Sequence, residues 1–240
     1  MNRSLKTRIA AREQLVGTFV KTPSAIVCEV LGRTELDLVC LDAEHAPFDR
    51  LVQDQCLYAL RNEGMASLVR LPCGATGVVI PHVTSPQMAE RVARAVHFGA
   101  GGRGYAGSTR AAGYTTKPMA AHLADSAAQS VVVAQIEDVD ALGSIDEIAS
   151  VEGIDCLFVG RIDLTVALGA SSPADPQVVS AVERICRAGA DAGRPVGMFV
   201  GNLDEVPRWQ AAGASLFLLS SDHGFLLQGA AGMVHRFRGN

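Results

Sequence analysis

The chain has 240 residues, 48% of them hydrophobic, and a formal net charge of −4 at pH 7. This length and apolar content suffice to bury one full core, and α/β barrels commonly reach this size as one domain. The slightly acidic balance provides no basic surface for nucleic acid. No apolar run approaches the roughly 18 residues that span a membrane. We therefore predict a single domain over residues 1–240 that binds neither nucleic acid nor a membrane.

Six cysteines are scattered along the chain without a C-x-x-C pair, and Cys40 and Cys156 lie inside apolar runs. This pattern is typical of reduced, mostly buried thiols rather than of a disulfide framework. Residues 1–8 are polar and lack the apolar core of a signal peptide. Together these features predict a cytoplasmic protein.

Short apolar runs alternate with stretches of helical spacing along the whole chain. The predicted strands cover residues 15–20, 36–41, 67–70, 77–81, 131–136, 156–159, 195–200 and 216–219. The predicted helices cover residues 24–32, 49–62, 85–97, 119–124, 176–192, 203–212 and 225–237, with one more between the fifth and sixth strands. Eight such repeats predict an α/β fold of the (β/α)8 TIM barrel type.

The connection between the third and fourth strands is unusually short. Only residues 72–76 lie between Leu71 and Gly77, whereas a parallel crossover normally takes a dozen or more residues, usually a helix. As the sequence stands, these strands could not be joined in barrel fashion. Either the barrel lacks its third βα helix, or a segment is missing from the sequence. We favour the second explanation and expect about a dozen further residues between Pro72 and Cys73. An intact mass above 25.2 kDa by that amount would confirm it.

Two carboxylates follow neighbouring predicted strands, one strand–helix repeat apart. Glu137 directly follows the fifth strand, and Asp163 lies just past the sixth. Because α/β enzymes place their chemistry at the carboxyl ends of parallel strands, we expect the two acids to converge there. Alternatively, Glu137 is a helix N-terminal acid and Asp163 a helix cap. The matched placement favours a hard divalent cation with positions left open for substrate.

Further ionisable residues follow the second and third strands. Arg70 ends the third strand, where a guanidinium fork is suited to an oxyanion or a carboxylate, although a surface ion pair is the alternative. His45 could act as a general base whose tautomer is set by Asp42, or it could be an ordinary loop histidine. Residues 160–164 open a helix whose backbone N–H groups could bind a substrate carboxylate.

The remaining histidines and lysines are assigned no catalytic role. His82 follows the fourth strand and is expected to be structural. The chain has only three lysines, Lys6, Lys21 and Lys117, and none lies at a clear strand end. We therefore expect no lysine that forms a Schiff base with the substrate.

Over nearly its whole length the chain resembles the metal-dependent pyruvate aldolases of the HpcH/HpaI aldolase/citrate lyase family. The D-x-E-H-A-P and Q-I-E motifs, in this order and spacing, are specific together. The resemblance rests on Glu29, residues 42–47, Val69-Arg70, residues 74–77 with Pro81, Arg103-Gly104, residues 135–137, residues 151–155, Gly160 with Asp163-Leu164, and Gly213-Ala214 before Asp222.

This resemblance implies a class II aldolase, a carbon–carbon lyase that depends on a divalent metal cation such as Mg²⁺, Mn²⁺ or Co²⁺. Such an enzyme reversibly cleaves 4-hydroxy-2-oxo acids to pyruvate, or hydroxypyruvate, and an aldehyde through a metal-stabilised enolate. The resemblance also implies a homo-oligomer, a trimer or hexamer, in which the closing helix packs against a neighbouring subunit.

The same resemblance implies a role for each matching residue. Glu137 and Asp163 would hold the metal, and His45 with Asp42 would handle the proton. Arg70 would contact the keto or enolate oxygen, and Gln135 would lie beside the bound pyruvate. The residues expected to bind substrate are Arg70, Gln135, Gly160, Arg161, Ile162 and Asp163.

Two departures from the family pattern matter. The family usually has proline where this chain has Arg161, so we expect a changed carboxylate pocket or a changed preference for the aldehyde. The family also has a helix after the third strand that ends in an aspartate, used beside the catalytic histidine of a neighbouring subunit. No residue of this chain corresponds to it.

Two other functions remain open from the sequence. A citramalyl- or malyl-CoA lyase would share the metal chemistry but should have a basic surface for coenzyme A, and the sequence shows none. A non-catalytic barrel could bind a 2-oxo acid as a sensor. Metal-dependent release of pyruvate from a 4-hydroxy-2-oxo acid would separate these functions from an aldolase.

Overall fold

Eight parallel strands form a closed barrel in a computed structural model that describes residues 3–70 and 77–239. The strands follow one another around the barrel in chain order. They are β1 Leu15–Val20, β2 Leu38–Asp42, β3 Ala66–Arg70, β4 Val78–Ile80, β5 Val132–Ile136, β6 Cys156–Val159, β7 Val196–Val200 and β8 Ala214–Ser221. The predicted (β/α)8 barrel is confirmed.

Eleven α-helices in the described part of the chain surround or close this barrel. They are α1 Leu5–Ala10, α2 Ala25–Gly32, α3 Arg50–Asn62, α4 Pro86–Val96, α5 Met119–Gln129, α6 Val139–Gly143, α7 Ile145–Ser150, α8 Arg161–Ala167, α9 Pro176–Asp191, α10 Val206–Ala211 and α11 Asp222–Arg238. Helix α1 was not predicted, because it is short and buries only Ile9. The single helix expected between β5 and β6 is two helices that meet at Ser144.

Alternation along each strand explains which side chains reach the site. In β5, Val133 packs in the barrel interior, whereas Val132 and Ala134 pack against the outer helices. Because side chains two residues apart share a face, Gln135 and Glu137 continue the interior face of β5. In the same way Asp42 follows the interior residues of β2, and Arg70 follows Leu68 of β3. Polar residues therefore cap the apolar interior at its carboxyl end.

Strands β3 and β4 are neighbours and run parallel in the closed barrel. Val69 pairs with Val78 and Arg70 with Val79. The Val69 N–H also donates to the Gly77 carbonyl at 3.1 Å. The expectation that the sequence as it stands cannot join these strands concerns residues 71–76. The further residues expected between Pro72 and Cys73 fall in 71–76, outside the described residues, and stay a prediction.

Among the described residues, no helix is both long enough and apolar enough to cross a membrane. This finding agrees with the absence of a long apolar run in the sequence.

Candidate active site at the carboxyl end of the barrel

A cavity of about 360 Å³ opens at the carboxyl ends of the strands. Seven predicted site residues line it: His45, Arg70, Gln135, Gly160, Arg161, Ile162 and Asp163. Six further residues complete the lining: Phe19, Lys21, Phe158, Phe199, Ser220 and Ser221. A wider groove of about 1600 Å³ runs between α4 and α7, and none of these residues lines it. Size therefore does not identify the site here; the convergence of polar residues in an apolar surround does.

Asp42 and Arg70 form a buried, two-pronged ion pair at the base of the cavity. The Nε and Nη2 atoms of Arg70 donate to the two oxygens of Asp42 at 3.1 and 2.8 Å. Burial opposes ionisation of Asp42, but the hydrogen bonds and charge of Arg70 outweigh it and hold its pKa below the ordinary value. The guanidinium also lies over the Phe19 ring, 4.6 Å from its centroid. Arg70 is therefore held firmly, as a permanent cation should be at an anion site.

The partner of the His45 imidazole differs from the one predicted. Asp42 accepts the backbone N–H of His45 at 3.2 Å, and its oxygens are otherwise occupied by Arg70 and Lys21. The imidazole Nε2 instead lies 3.6 Å from Oε2 of Glu44. A side chain that accepts the N–H three residues ahead forms a tight turn, which separates it from the ring it was expected to orient. Glu44 is therefore the carboxylate nearest to the ring of His45.

Glu137 is a buried carboxylate held by two donors. His82 donates its backbone N–H to Oε1 at 2.9 Å, and the Gln135 side-chain amide donates to Oε2. Burial raises the pKa of Glu137, hydrogen bonds partly oppose this, and the negative charge of Asp163 raises it further. The charge of Asp163 therefore acts on Glu137, but only Asp163 lines the cavity, whereas Glu137 is buried.

Known proteins share both the sequence and this architecture. The profile of the family described as HpcH/HpaI aldolase/citrate lyase matches residues 61–228. The chain belongs to this family. The predicted resemblance is thereby confirmed.

Individual relatives agree along almost the full length. The 5-keto-4-deoxy-D-glucarate aldolase of Shigella boydii is 29% identical over 97% of this chain and 95% of its own. The hydroxypyruvate/pyruvate aldolase of Pseudomonas aeruginosa is 28% identical over 98% and 92%. A family member from Burkholderia cenocepacia superposes with a TM-score of 0.92 at 30% identity, over 99% of this chain and 100% of its own.

The alignments to these relatives are longer than the chain. The Shigella alignment spans 247 positions, although 97% of 240 residues is about 233. About 14 positions therefore face a gap in this chain.

Several residues of this site suit a divalent metal. Glu137 and Asp163 are oxygen ligands, which Mg²⁺ and Mn²⁺ prefer. The buried Oε1 of Gln135, directly beside Glu137, has no hydrogen-bond partner among the described residues. Within residues 3–70 and 77–239, no three His, Cys, Asp or Glu side chains cluster as metal ligands. Two protein carboxylates fit a cation whose other positions are filled by water and substrate.

Gly160 leaves the room that Glu137 occupies. A Cβ atom on Gly160 would overlap Oε2 of Glu137 and lie 2.7 Å from its Cβ. It would also lie 3.3 Å from Nε2 of Gln135. The sequence predicted a role for Gly160 in substrate binding, and the structure adds that its missing side chain keeps the carboxylate in place.

Gly160→Ala should therefore displace Glu137 and lower kcat/KM by about 100-fold, because a misplacement near 1 Å can have that effect. The apparent Kd for Mn²⁺ should rise along with it. Gly169→Ala is not a clean control, since Gly169 has a positive φ, whereas a Cβ on Gly143 meets nothing within 4 Å. Gly143→Ala should leave kcat/KM within about twofold. Unchanged kinetics in Gly160→Ala would contradict the proposed place of Glu137.

The expectation that no lysine lies at a clear strand end is wrong for Lys21. It directly follows β1, lines the cavity, and places Nζ 3.5 Å from Oδ2 of Asp42. Asp222 fixes this turn, because its carboxylate accepts the N–H groups of Lys21 and Thr22 at 2.9 and 3.0 Å. The sequence did contain an indication of this position, because Lys21 lies one residue past a predicted strand. An ammonium paired with a carboxylate suits an anion anchor better than a nucleophilic amine.

His82 adopts a left-handed backbone conformation, with φ of 55°. This conformation points its N–H at Glu137, while its ring Nδ1 lies 3.0 Å from Oδ2 of Asp138. The hydrogen bond to Asp138 raises the pKa of His82. A non-glycine residue rarely adopts this conformation, and such residues gather at functional sites. The predicted structural role is thus a specific one, the orientation of Glu137.

Arg161 lines the cavity, but its guanidinium is bound to protein groups. Its Nη2 donates to Oε2 of Glu205, and its Cζ lies 5.5 Å from the centroid of the Trp209 ring. At Nη2, a substrate carboxylate would compete with Glu205. The expectation that Arg161 changes the carboxylate pocket or the preference for the aldehyde stays a prediction.

Proposed function

We propose that this chain is a class II aldolase that cleaves 4-hydroxy-2-oxo acids to pyruvate, or hydroxypyruvate, and an aldehyde. One observation supports this above all others: Arg70, Gln135 and Asp163 line one cavity at the carboxyl end of the barrel, and the buried Glu137 lies directly behind Gln135, which donates to it. Arg70 and Gln135 could hold a 2-oxo acid in this cavity. The names of the Shigella and Pseudomonas relatives agree with an aldolase.

Glu137 and Asp163 would hold the cation, for which Mg²⁺, Mn²⁺ and Co²⁺ are candidates. When bound, the cation supplies a Lewis acid for the charge that develops on the keto oxygen. Arg70 contributes a second positive charge at that oxygen, and its pairing with Asp42 keeps the guanidinium from turning away. Backbone N–H groups of residues 161–163 would hold the substrate carboxylate, since the Gly160 N–H donates to the Ile136 carbonyl, and Gln135 would donate beside it.

His45 would move the proton. In the cleavage direction it accepts the proton of the 4-hydroxyl group, directly or through one water. The bond between C3 and C4 then breaks, its electron pair goes to C3, and the aldehyde leaves. Protonation at C3 completes pyruvate. Glu44, rather than Asp42, is placed to stabilise the charged imidazole.

The proposal is tested by metal-dependent pyruvate release. Protein treated with a chelator should release no pyruvate from a 4-hydroxy-2-oxo acid, and added Mg²⁺, Mn²⁺ or Co²⁺ should restore release. Full activity in chelator would exclude the metal-dependent reaction. Inactivation by borohydride only in the presence of substrate would instead indicate a Schiff base on Lys21.

The same assay separates the two alternatives. Cleavage of citramalyl-CoA or malyl-CoA in preference to free 2-oxo acids would indicate a CoA-dependent lyase. Tight binding of pyruvate without turnover would indicate a sensor. A CoA-dependent lyase would share the metal chemistry, but the sequence shows no basic surface for coenzyme A.

We further propose that the chain assembles into a trimer or hexamer through α11. Four apolar residues of this helix, Leu226, Leu227, Met233 and Phe237, are each more than half exposed. A second apolar feature lies on the outer side of β1 and β8, a cavity of about 310 Å³ whose lining includes Val16, Phe217 and Leu219. Large exposed apolar patches usually mark interaction surfaces. A cytoplasmic location belongs to the same proposal.

Light scattering at micromolar concentration should give the mass of an oligomer. Leu227→Lys should shift the mass towards that of the monomer, because a charge would enter the apolar contact. Gln228→Lys, on the neighbouring exposed position, is the matched control and should leave the oligomer intact. A monomeric wild-type protein would rule out this assembly.

A further inference from the structure

Arg161 connects two segments that border the cavity. It is the first residue of α8, and only 8% of it is exposed. Its partner Glu205 lies in the short 3-10 turn Leu203–Glu205 that follows β7. Trp209, against which the guanidinium stacks, belongs to the next helix, α10. The side chain of Arg161 thus ties the start of α8 to the segment after β7.

The first turn of α8 has few other restraints of its own. The helix spans only seven residues, and its N-cap, Gly160, provides no side-chain hydrogen bond. Leu164 anchors the next turn in the core, whereas Asp163 is exposed towards the cavity. Because short helices are stabilised by tertiary contacts rather than by their own propensity, an anchor at Arg161 has a large influence on this turn.

We propose that Arg161 is a positioning residue for Asp163. The ion pair with Glu205 and the stacking on Trp209 hold the first turn of α8, and with it the Asp163 carboxylate, at the edge of the cavity. This inference rests on the proposed metal site. It assigns to Arg161 an action through Asp163 rather than contact with the substrate. The buried Nε of Arg161 has no hydrogen-bond partner among the described residues, so Glu205 is the main compensation for its charge.

Trp209 offers a spectroscopic report on this contact. It is the only tryptophan of the chain and is fully buried. Arg161 approaches its ring at 5.5 Å, and Arg208 approaches it at 4.9 Å. Arg208 pairs with Glu183 in a largely exposed ion pair and does not line the cavity. Arg208→Met is therefore a matched control that changes the surroundings of the same indole without touching α8.

The experiment measures metal affinity directly, by equilibrium dialysis of Mn²⁺ against the purified protein. Arg161→Met and Glu205→Gln should each raise the Kd for Mn²⁺ about tenfold, the lower end of the effect seen when groups that orient metal ligands are removed. The double variant should raise the Kd for Mn²⁺ no more than either single variant does, because both substitutions break the same contact. Arg161→Lys should recover part of the affinity, and Arg208→Met should stay within about twofold of wild type.

Intrinsic fluorescence provides the second measurement, with diamagnetic Mg²⁺ as the titrant. Wild-type Trp209 emission should change with the same midpoint as metal binding, and the change should be lost in Arg161→Met. Glu205→Gln preserves side-chain size at a partly exposed position, so it decides the question if Arg161→Met does not fold.

Three results would overturn the inference. In one, Arg161→Met and Glu205→Gln bind Mn²⁺ as tightly as wild type. In another, Arg208→Met weakens binding as much as Arg161→Met, so that Trp209 packing alone matters. In the third, Arg161→Met raises KM for the 2-oxo acid at saturating Mn²⁺ with an unchanged Kd for Mn²⁺, which would mean that the guanidinium binds substrate. If wild-type protein binds no Mn²⁺, the proposed function fails instead.

Discussion

Glu137→Gln should lower kcat/KM by at least about a thousandfold, equivalent to about 4 kcal/mol of transition-state stabilisation. The amide preserves the shape of the side chain and one acceptor oxygen, but it removes the charge that would hold the cation. Asp163→Asn should have an effect of similar size through the other ligand. Steady-state pyruvate release, measured with saturating Mn²⁺, tests both variants.

The stability of Glu137→Gln should move in the opposite direction from its activity. The pKa of Glu137 is raised in the folded protein, chiefly by burial. Such a group favours folding below its unfolded pKa and disfavours it as the pH rises towards neutrality. Above about pH 5, metal-free Glu137→Gln should therefore melt no lower than wild type. A lower Tm would show that Glu137 stabilises the fold without metal.

Asp140→Asn is the control for charge removal in the same segment. Asp140 is exposed in the first turn of α6, only three residues from Glu137. Its substitution should leave kcat/KM within about threefold, since surface changes away from the site have small effects. A loss comparable with that of Glu137→Gln would point to the general electrostatics of the segment rather than to a metal ligand.

Arg70→Lys should lower kcat/KM about 100-fold, the scale of removing one preorganised donor to a developing oxyanion. An ammonium retains the charge but cannot reproduce the planar fork that grips both oxygens of Asp42. The Tm should fall as well, because Asp42 is completely buried and would lose a two-pronged partner. Near-wild-type kinetics with a lowered Tm would mean that Arg70 is structural only. Arg208→Lys, in an exposed ion pair, should change neither quantity.

Acid titration measures how much the Asp42–Arg70 ion pair stabilises the fold. The pKa of Asp42 is depressed in the folded protein, so its contribution to stability is present above about pH 4 and is lost as the pH falls further. Melting curves of wild type between pH 3 and pH 7 should show this loss. Asp42→Asn should melt lower at neutral pH and depend less on pH in the acid range.

Several residues could be placed from the sequence because strand periodicity determines direction. Gln135 and Glu137 lie two residues apart at the end of an apolar run, and Arg70 lies two residues after Leu68. A period of two sends each pair to one face. Once eight such runs alternate with helices, a closed barrel brings those faces together. The fold and the placement of Arg70, Gln135 and Glu137 at the carboxyl end of the barrel interior follow from this periodicity.

The partner of each side chain could not be derived in that way. Sequence proximity suggested that Asp42 orients the ring of His45, but a turn hydrogen bond binds Asp42 to the His45 backbone and leaves the ring beside Glu44. Local spacing does not encode which of several nearby carboxylates a flexible side chain meets. The same limit applies to Lys21, because its partner Asp42 is contributed by a different strand.

The sequence by itself determined the alternation of eight strands and helices, the family, and the residue types at the carboxyl ends of the strands. Those are properties of local periodicity and of motifs that can be read in order along the chain. Only the tertiary structure decided that β3 and β4 pair near their ends and that Gly160 leaves space for Glu137. It also decided that Arg161 binds Glu205, 44 residues away. These contacts join segments that are distant along the chain, and their geometry is determined by barrel closure and close packing rather than by local sequence.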